Sequence, residues 1–488
     1  MKRSIRRLGV GLIVLYGALF VQLNLVQVLN ADEYNENPGN TREIVRDFSR
    51  PRGKIVSADG TVLARSREIG GRYERQREYP TGDLFGQITG FFSFNAGADG
   101  VDKADNDELS GRAAPTSVDQ VADMFVDEER TADVVLTVDA TVQQAARDAL
   151  GNRLGSIVAL DPRNGSILAL WSTPSYDPNP LSSVDQKAAS AARNLALADP
   201  NKPLLTRSYR ETFFPGSTFK IVTGSAGLQS GTVTRDTPSY PVRSGYVPNG
   251  TNAPIRNFGG SACGGSLFEG LEVSCNTVFA QMADDIGGEQ LRRTGEGFGF
   301  NEAPPIDLPE AAASRLGASE GFESSAVTAQ TGIGQNDVSA TPLQMALATA
   351  GIANDGVVMR PHVMAEVRDD EGRAVRAYQP QEWRRALTPE QSGVMREAMV
   401  NVVANGTATR LAVDGVPTAG KTGTAQAGTG LDLNHAWVVG YAPADAPRVV
   451  VAVLVASVPG VGVEATGGRL AAPMGKNVLQ AALAATAG

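Results

Sequence analysis

Lys2, Arg3, Arg6 and Arg7 lead into an uncharged run from Leu8 to Asn30, and no other feature limits the fold of the chain as much. Leu8 to Val21 is apolar apart from Tyr16, while Gln22, Asn24 and Gln27 dilute the far end. About 20 residues of helix cross a hydrocarbon core, so the run is long enough to span one. Clustered cations stay in the cytoplasm, which sends everything after Ala31 outside the cell. A cleaved signal peptide would show an A-x-A site after its apolar stretch; none follows here, and the run continues to Leu29. The sequence therefore predicts an uncleaved single-pass anchor over residues 1–30, with a cytoplasmic N-terminus and an extracytoplasmic remainder.

That remainder is large enough for two folded units, and 42% hydrophobic residues in 488 supply a sizeable core. A net charge of -9 argues against nucleic acid, whose binders show a basic face. Two cysteines, Cys263 and Cys275, and two histidines, His362 and His435, stand in no metal-ligand spacing, so no metal or cofactor is expected. An even cysteine count in an exported segment permits a disulfide between Cys263 and Cys275. Free buried thiols fit the sequence too, because spacing fixes no geometry.

Between residues 31 and 154 the pattern is mixed. Lys54 to Leu63 reads as strand, Asp59-Gly60 turn and strand. Asn95 to Gly111, rich in Gly, Asp and Asn, reads as a mobile loop. Val134 to Val138 is a short strand, after which Asp139 caps a helix. A second unit, 155–488, opens with strands at 157–160 and 167–171. Helical stretches follow at 218–229, 276–285 and 342–354. Strand patterns return at 418–426, 435–441 and 449–458, and a closing helix is expected from Met474 to Ala485. Strands, a helical block, then strands and a helix predict an α+β sandwich.

Three short patterns carry chemistry. In Phe214-Pro-Gly-Ser-Thr-Phe-Lys220 a Pro-Gly turn places Ser217 at the start of an apolar helix, where free amides favour negative charge. Lys220 lies one turn on and on the same face. A lysine on an apolar helix resists protonation, which suits it to act as a base for the serine without histidine. An N-cap serine with a snorkelling lysine reads the same. Ser274-Cys-Asn276 begins a later helix and is by itself an N-cap. Ala419-Gly-Lys-Thr-Gly-Thr-Ala425 reads as a strand; Lys421, Thr422 and Thr424 there offer a cation and hydroxyls to a carboxylate, and Gly423 leaves room for a ligand backbone.

Gly415 to Thr422 also matches the phosphate-loop pattern G-x-x-x-x-G-K-[ST]. Such a loop runs into a helix, whereas Thr422 to Gly430 is rich in Gly and Thr and a poor helix start. The segment also lies outside the cell, away from nucleotide.

S-x-x-K, S-x-N and K-T-G in this order are the set used by penicillin-recognising serine acyltransferases. On these motifs the chain resembles the class B penicillin-binding proteins, and within them an actinobacterial branch. Asn40 to Gly53, Gly155 to Pro162, Gly332-Ile-Gly-Gln335 with Ala340 to Met345, and Ala436-Trp-Val-Val-Gly-Tyr-Ala-Pro443 extend the likeness. The resemblance implies a transpeptidase domain over 155–488, with an antiparallel sheet flanked by helices and an all-helical lobe. A β-rich, dimerisation-type pedestal over 31–154 would precede it. Residues 31–154 are too few for the glycosyltransferase domain of the bifunctional relatives, so a monofunctional enzyme is expected.

By the same resemblance Ser217 attacks the D-Ala-D-Ala end of a peptidoglycan stem peptide and Lys220 takes its proton. Ser274 relays a proton to the leaving amine, and Asn276 holds the substrate amide or orients Lys220. Thr422 and Thr424 grip the carboxylate with Lys421 supplying positive field, Gly423 gives the substrate backbone room, and the amides of Ser217 and Thr424 form an oxyanion hole. An amine of a neighbouring stem peptide completes cross-linking, and β-lactam antibiotics stall at the acyl stage. A paired Cys263 and Cys275 would brace the cleft edge. A polytopic glycan polymerase at the cell membrane is the implied partner, in division or cell shape. A D,D-carboxypeptidase, or a β-lactam-binding envelope sensor or scaffold, would use the same motifs.

Overall fold

The computed structural model describes residues 2–25, 48–112, 131–317, 322, 324–426, 433–459 and 466–486. The far end of the expected span, 26–30, and the 40–47 part of the resemblance segment lie outside the described residues. The chain divides into two compact units, one of residues 1–51 with 68–76 and one of 52–67 with 77–488.

In the first unit Lys2–Asn24 is a single helix, and its Ile5–Asn24 portion is long and apolar enough to cross a membrane. Leu8, Ile13 and Phe20 are exposed along it.

Two large sheets are built from residues beyond Pro51. A six-stranded one runs in the order Ala374–Ala377, Met364–Arg368, Asp133–Leu136, Ile55–Val56, Val62–Glu68, Arg75–Glu78. The Asp59-Gly60 hairpin forms as expected, closed by Ser57 N–H donating to Thr61 O at 2.9 Å, with Gly60 at φ 85°. Ile55 pairs antiparallel with Ala64 and parallel with Val134. Val134 pairs antiparallel with Val367, so two strands from beyond residue 360 complete the N-terminal sheet.

Asn95 to Gly111 departs from the expected loop. Phe92–Ser93 pairs with Gly97–Ala98, and helices Gly100–Ala104 and Asn106–Ser110 follow. Long-range burial overrides the local composition: Asp102, fully buried, binds Arg52 and Arg77 and accepts the Tyr79 hydroxyl proton at 2.7 Å.

The five-stranded antiparallel sheet runs Ala419–Gln426, Leu433–Ala442, Val449–Pro459, Gly155–Leu160, Ile167–Thr173. Lys421, Val439, Ala452, Val158 and Leu170 form one row across it. Consecutive residues of its inner strands are buried, so both faces are covered. Helices Gly467–Ala485 and Ala140–Leu150 pack on the sheet and on each other, and Pro342–Ala353, buried at every residue, packs there too.

The closing helix starts at Gly467 and not at Met474, with Pro473 inside it. Burial of Ala471 and Ala472 against the sheet offsets the local cost of the proline. A helical lobe built on Lys220–Ser230 joins Asn276–Ile286, Gly288–Gly297 and Pro389–Ala404.

Candidate active site

Ser217 sits in the 3-10 turn Gly216–Phe219, which runs straight into the helix Lys220–Ser230. Gly216 has φ 54°, and a Cβ on it would lie 2.5 Å from Thr424 O. Its N–H donates to Gly334 O at 2.9 Å. Gly334 has φ 82°, and a Cβ there would lie 1.9 Å from Gly216 O. Two left-handed glycines in mutual contact thus fix the turn, because side chains at either would collide with backbone. Thr218 Oγ1 donates to Pro215 O at 2.7 Å and closes it.

Lys220 emerges one turn later and is fully buried. Its Nζ donates to Asn276 Oδ1 at 2.7 Å, Ser274 O at 2.7 Å and Ser274 Oγ at 3.3 Å. Lys421 Nζ donates to Ser274 Oγ at 2.8 Å and to Thr422 O at 2.9 Å. One hydroxyl therefore bridges a lysine of the helix Lys220–Ser230 and a lysine of the strand Ala419–Gln426. Burial holds the Lys220 ammonium well below its ordinary range, and the charge of Lys421 lowers it further. Burial pushes Lys421 down to about 7. Ser274 Oγ contacts both amines, so it lies between the two groups whose charge burial disfavours.

Ser274 itself has φ 59°, a left-handed backbone unusual for a residue other than glycine. The next residue, Cys275, is the N-cap of Asn276–Ile286 and is disulfide-bonded to Cys263, with Cα atoms 5.9 Å apart. Cys263–Gly265 pairs with Tyr240–Arg243, so the bond ties the Ser274 segment to a small sheet. Asn276 is oriented at both ends of its amide, because Nδ2 donates to Arg256 O at 2.9 Å.

The strand Ala419–Gln426 is the edge of the five-stranded sheet. Thr424 pairs with Ala436, yet its carbonyl faces Gly216, so in an antiparallel strand its N–H faces the Ser217 turn as well. Gly423 permits this approach: a Cβ would stand 3.0 Å from Thr218 N and 2.9 Å from Pro215 O. Trp437 Nε1 donates to Phe214 O at 3.0 Å and pins turn to sheet. Thr422 is buried, and its hydroxyl donates to Thr407 Oγ1 at 2.7 Å. Thr424 Oγ1 accepts from Gly467 N, the first residue of the closing helix, at 3.4 Å. Gly415 to Thr422 leads into this strand and not into a helix, which removes the structural context a phosphate loop needs.

The structure thus gathers Ser217, Lys220, Ser274, Asn276, Lys421, Thr422, Gly423 and Thr424 about one cleft. A separate cavity of about 380 Å³, lined by Asp284, Glu289, Arg292, Phe322 and Ser325 among others, includes none of them. Sequence reasoning did not single out Gly334, Thr407, Trp437 or Gly467. Gly332-Ile-Gly-Gln335 carried a hint of Gly334, but nothing local marks Thr407.

Residues 155–480 match the family model of the penicillin-binding protein transpeptidase domain, and 52–135 match that of the penicillin-binding protein A dimerisation domain. The peptidoglycan D,D-transpeptidase PbpA of Mycolicibacterium smegmatis is 37% identical, the match covering 99% of each chain. Its namesake in Mycobacterium tuberculosis is 36% identical, again over 99% of each. The solved ceftriaxone acyl-enzyme of penicillin-binding protein A from M. tuberculosis superposes with a TM-score of 0.82 at 35% identity, covering 90% of this chain and 100% of that one. The penicillin G acyl-enzyme gives a TM-score of 0.81 at 35% identity, covering 89% and 100%.

Proposed function

The chain belongs to the penicillin-binding protein transpeptidase family, and we propose that Ser217, Lys220 and Ser274 carry its chemistry. It is a peptidoglycan D,D-transpeptidase that works through a serine acyl-enzyme and is acylated by β-lactams. The observation that carries the assignment of roles is Ser274 Oγ lying within hydrogen-bond reach of both Lys220 and Lys421.

Neutral Lys220 takes the proton as Ser217 Oγ bonds to the carbonyl carbon between the two terminal D-alanines. The oxyanion is met by the N–H groups of Ser217 and Thr424, a type of contact worth about 2.7–4 kcal/mol per donor. The C–N bond then breaks, and the departing D-alanine amine gains a proton from the lysine pair through Ser274. An acceptor amine attacks the ester, gives up its proton by the same route and restores the Ser217 hydroxyl. Asn276, already bound to Lys220 and Arg256 O, keeps one Nδ2 proton for the substrate amide. Lys421, Thr422 and Thr424 hold the substrate carboxylate.

The apolar N-terminal helix anchors the chain in the cell membrane, with the preceding cations inside and the catalytic unit outside. Residues 31–154 serve as its pedestal, where a polytopic glycan polymerase docks by family analogy.

Intact-protein mass spectrometry with penicillin tests the nucleophile. The wild type gains one acyl adduct and Ser217→Ala gains none; an adduct on the variant refutes the role of Ser217. Cross-linked dimer should exceed released product hydrolysed by water, and the reverse ratio would make the enzyme a carboxypeptidase.

A further inference from the structure

From Thr237 to Phe268 the chain carries no acidic residue, and its charges there are Arg243 and Arg256, in a protein of net charge -9. The segment folds as short antiparallel pairs, with Arg243 opposite Cys263 and Arg256 opposite Gly245. Carboxylates near it are engaged with other groups. Asp236 pairs with Arg235 at 3.5 Å, and Glu269 accepts from Ser266 N at 2.9 Å. Asp284, on the helix Asn276–Ile286, accepts the Tyr246 hydroxyl proton. Among the described residues Arg256 has neither an ion pair nor a side-chain hydrogen bond.

Arg256 is also joined to the S-x-N side of the cleft. Its carbonyl accepts from Asn276 Nδ2 at 2.9 Å, while Asn276 Oδ1 accepts from Lys220. Asn257, extended at φ -72° and ψ 155°, turns inward. Its Oδ1 accepts from Thr277 N at 3.0 Å, and its Nδ2 donates to Arg243 O at 2.9 Å. With Ile255 and Asn257 buried, alternation puts Arg256 and Phe258 on the outer side, where both are exposed. A free guanidinium and an aromatic ring thus share one side of a segment that is hydrogen-bonded to Asn276.

We propose that Arg256 is a specificity-determining residue for the donor stem peptide, binding a side-chain carboxylate on the residue that precedes D-Ala-D-Ala. This deepens the transpeptidase reading and rests on it. In that reading Asn276 Nδ2 receives the substrate amide, and the carbonyl of that amide belongs to the residue before the terminal pair. The side chain of that residue therefore starts next to Asn276. A diamino diacid there ends in a carboxylate on a flexible aliphatic chain, and a planar guanidinium offers it two parallel N–H donors. The Phe258 ring offers apolar surface to the aliphatic part.

The test gives the full-length protein two donors ending X-D-Ala-D-Ala, where X is diaminopimelate with its side-chain carboxylate free or converted to the amide. kcat/KM for D-alanine release is measured for each. The wild type should favour the free carboxylate about five- to thirtyfold, the range for one partly exposed, charge-assisted pair. Added salt should shrink that preference. Arg256→Gln should abolish it by slowing the free-carboxylate donor, with the amidated donor within about twofold of its wild-type value. Arg256→Lys keeps the charge and should recover most of the preference. A wild type that treats the two donors alike overturns the proposal. So does an equal loss for both donors in Arg256→Gln, which makes the residue a structural support of Asn276. A preference that survives in Arg256→Gln, or that Arg256→Lys does not recover, overturns it too. Absence of a penicillin adduct on the wild type would instead refute the transpeptidase reading, and mass spectrometry reads that result separately.

Discussion

Lys421 Nζ stands 2.8 Å from Ser274 Oγ, a hydroxyl that Lys220 also approaches at 3.3 Å. Like charges sharing one acceptor disfavour double protonation, so the pair titrates as a unit. Acylation should rise with pH as Lys220 becomes the free base, and carboxylate capture should weaken above about 7 as Lys421 loses its charge. Replacing Lys421 by methionine removes the charge that lowers Lys220. The rising limb of the pH–acylation profile then moves to higher pH. A limb that stays put, or moves down, would show that Lys220 does not feel Lys421.

The same burial has a consequence for stability. With the folded pKa of Lys421 at about 7 and the ordinary lysine value at 10.5, the unfolded chain binds more protons between these values. Stability contributed by this site therefore rises with pH across that window and is flat below it. Lys421→Met should lose this slope, so its stability relative to the wild type is greatest at and below neutral pH. Urea midpoints measured on both proteins across the window check the sign.

The Cys263–Cys275 bond adjoins the left-handed Ser274, which links a redox state to a catalytic backbone. Cys275→Ser should cost about 2–4 kcal/mol of unfolding free energy, as for a disulfide closing a short loop. It should also slow acylation more than it lowers the amount of folded protein, because Ser274 loses its neighbour's anchor. Thermal melts and acylation rates, each with and without reductant, separate the two effects. Equal acylation in oxidised and reduced wild type would leave the bond a purely structural brace.

The turn at Ser217 depends on Gly334, whose Cβ would come 1.9 Å from Gly216 O. Gly334→Ala must therefore displace the backbone of Gly216 or forfeit its N–H bond. Either moves Ser217, and acylation should drop about a hundredfold or more, since strain of this kind exceeds the usual 1–3 kcal/mol of a left-handed residue. Gly393, whose Cβ would meet nothing within 4 Å, is the control, and Gly393→Ala should acylate normally. A normal rate in Gly334→Ala would mean that the turn is held elsewhere.

How much of this was readable in the sequence follows from the range of the forces involved. The α+β class, the edge strand Ala419–Gln426 and the helix after Ser217 are set by local periodicity, so they could be read directly. Ser217, Lys220, Ser274, Asn276 and Lys421 were visible as motifs, but the bridging position of Ser274 comes from tertiary packing. Thr407 is invisible locally, because only the wedge between Glu272 and Gly468 brings it to Thr422. Composition likewise misled at Asn95 to Gly111, where Gly, Asp and Asn suggested a loop. The order there depends on Arg52 and Arg77, which no local window can connect to Asp102.

That buried cluster supplies the last prediction. Burial alone would raise the carboxyl of Asp102, but Arg77, Arg52 and the Tyr79 hydroxyl outweigh it and hold the group below its ordinary range. Its contribution to stability is thus present above the usual carboxylate pKa and is lost as pH falls through the lower folded value. Asp102→Ala leaves the guanidiniums of Arg52 and Arg77 buried without their partner, a change that typically costs about 3–5 kcal/mol. The segment from Gly100 to Ser110 should lose protection in hydrogen exchange first, since Asp102 is its buried tie to the six-stranded sheet. The helix at Lys220 lies in the other lobe, and its exchange should change less. Uniform loss of protection across both regions would show instead that the N-terminal sheet and the catalytic lobe unfold as one.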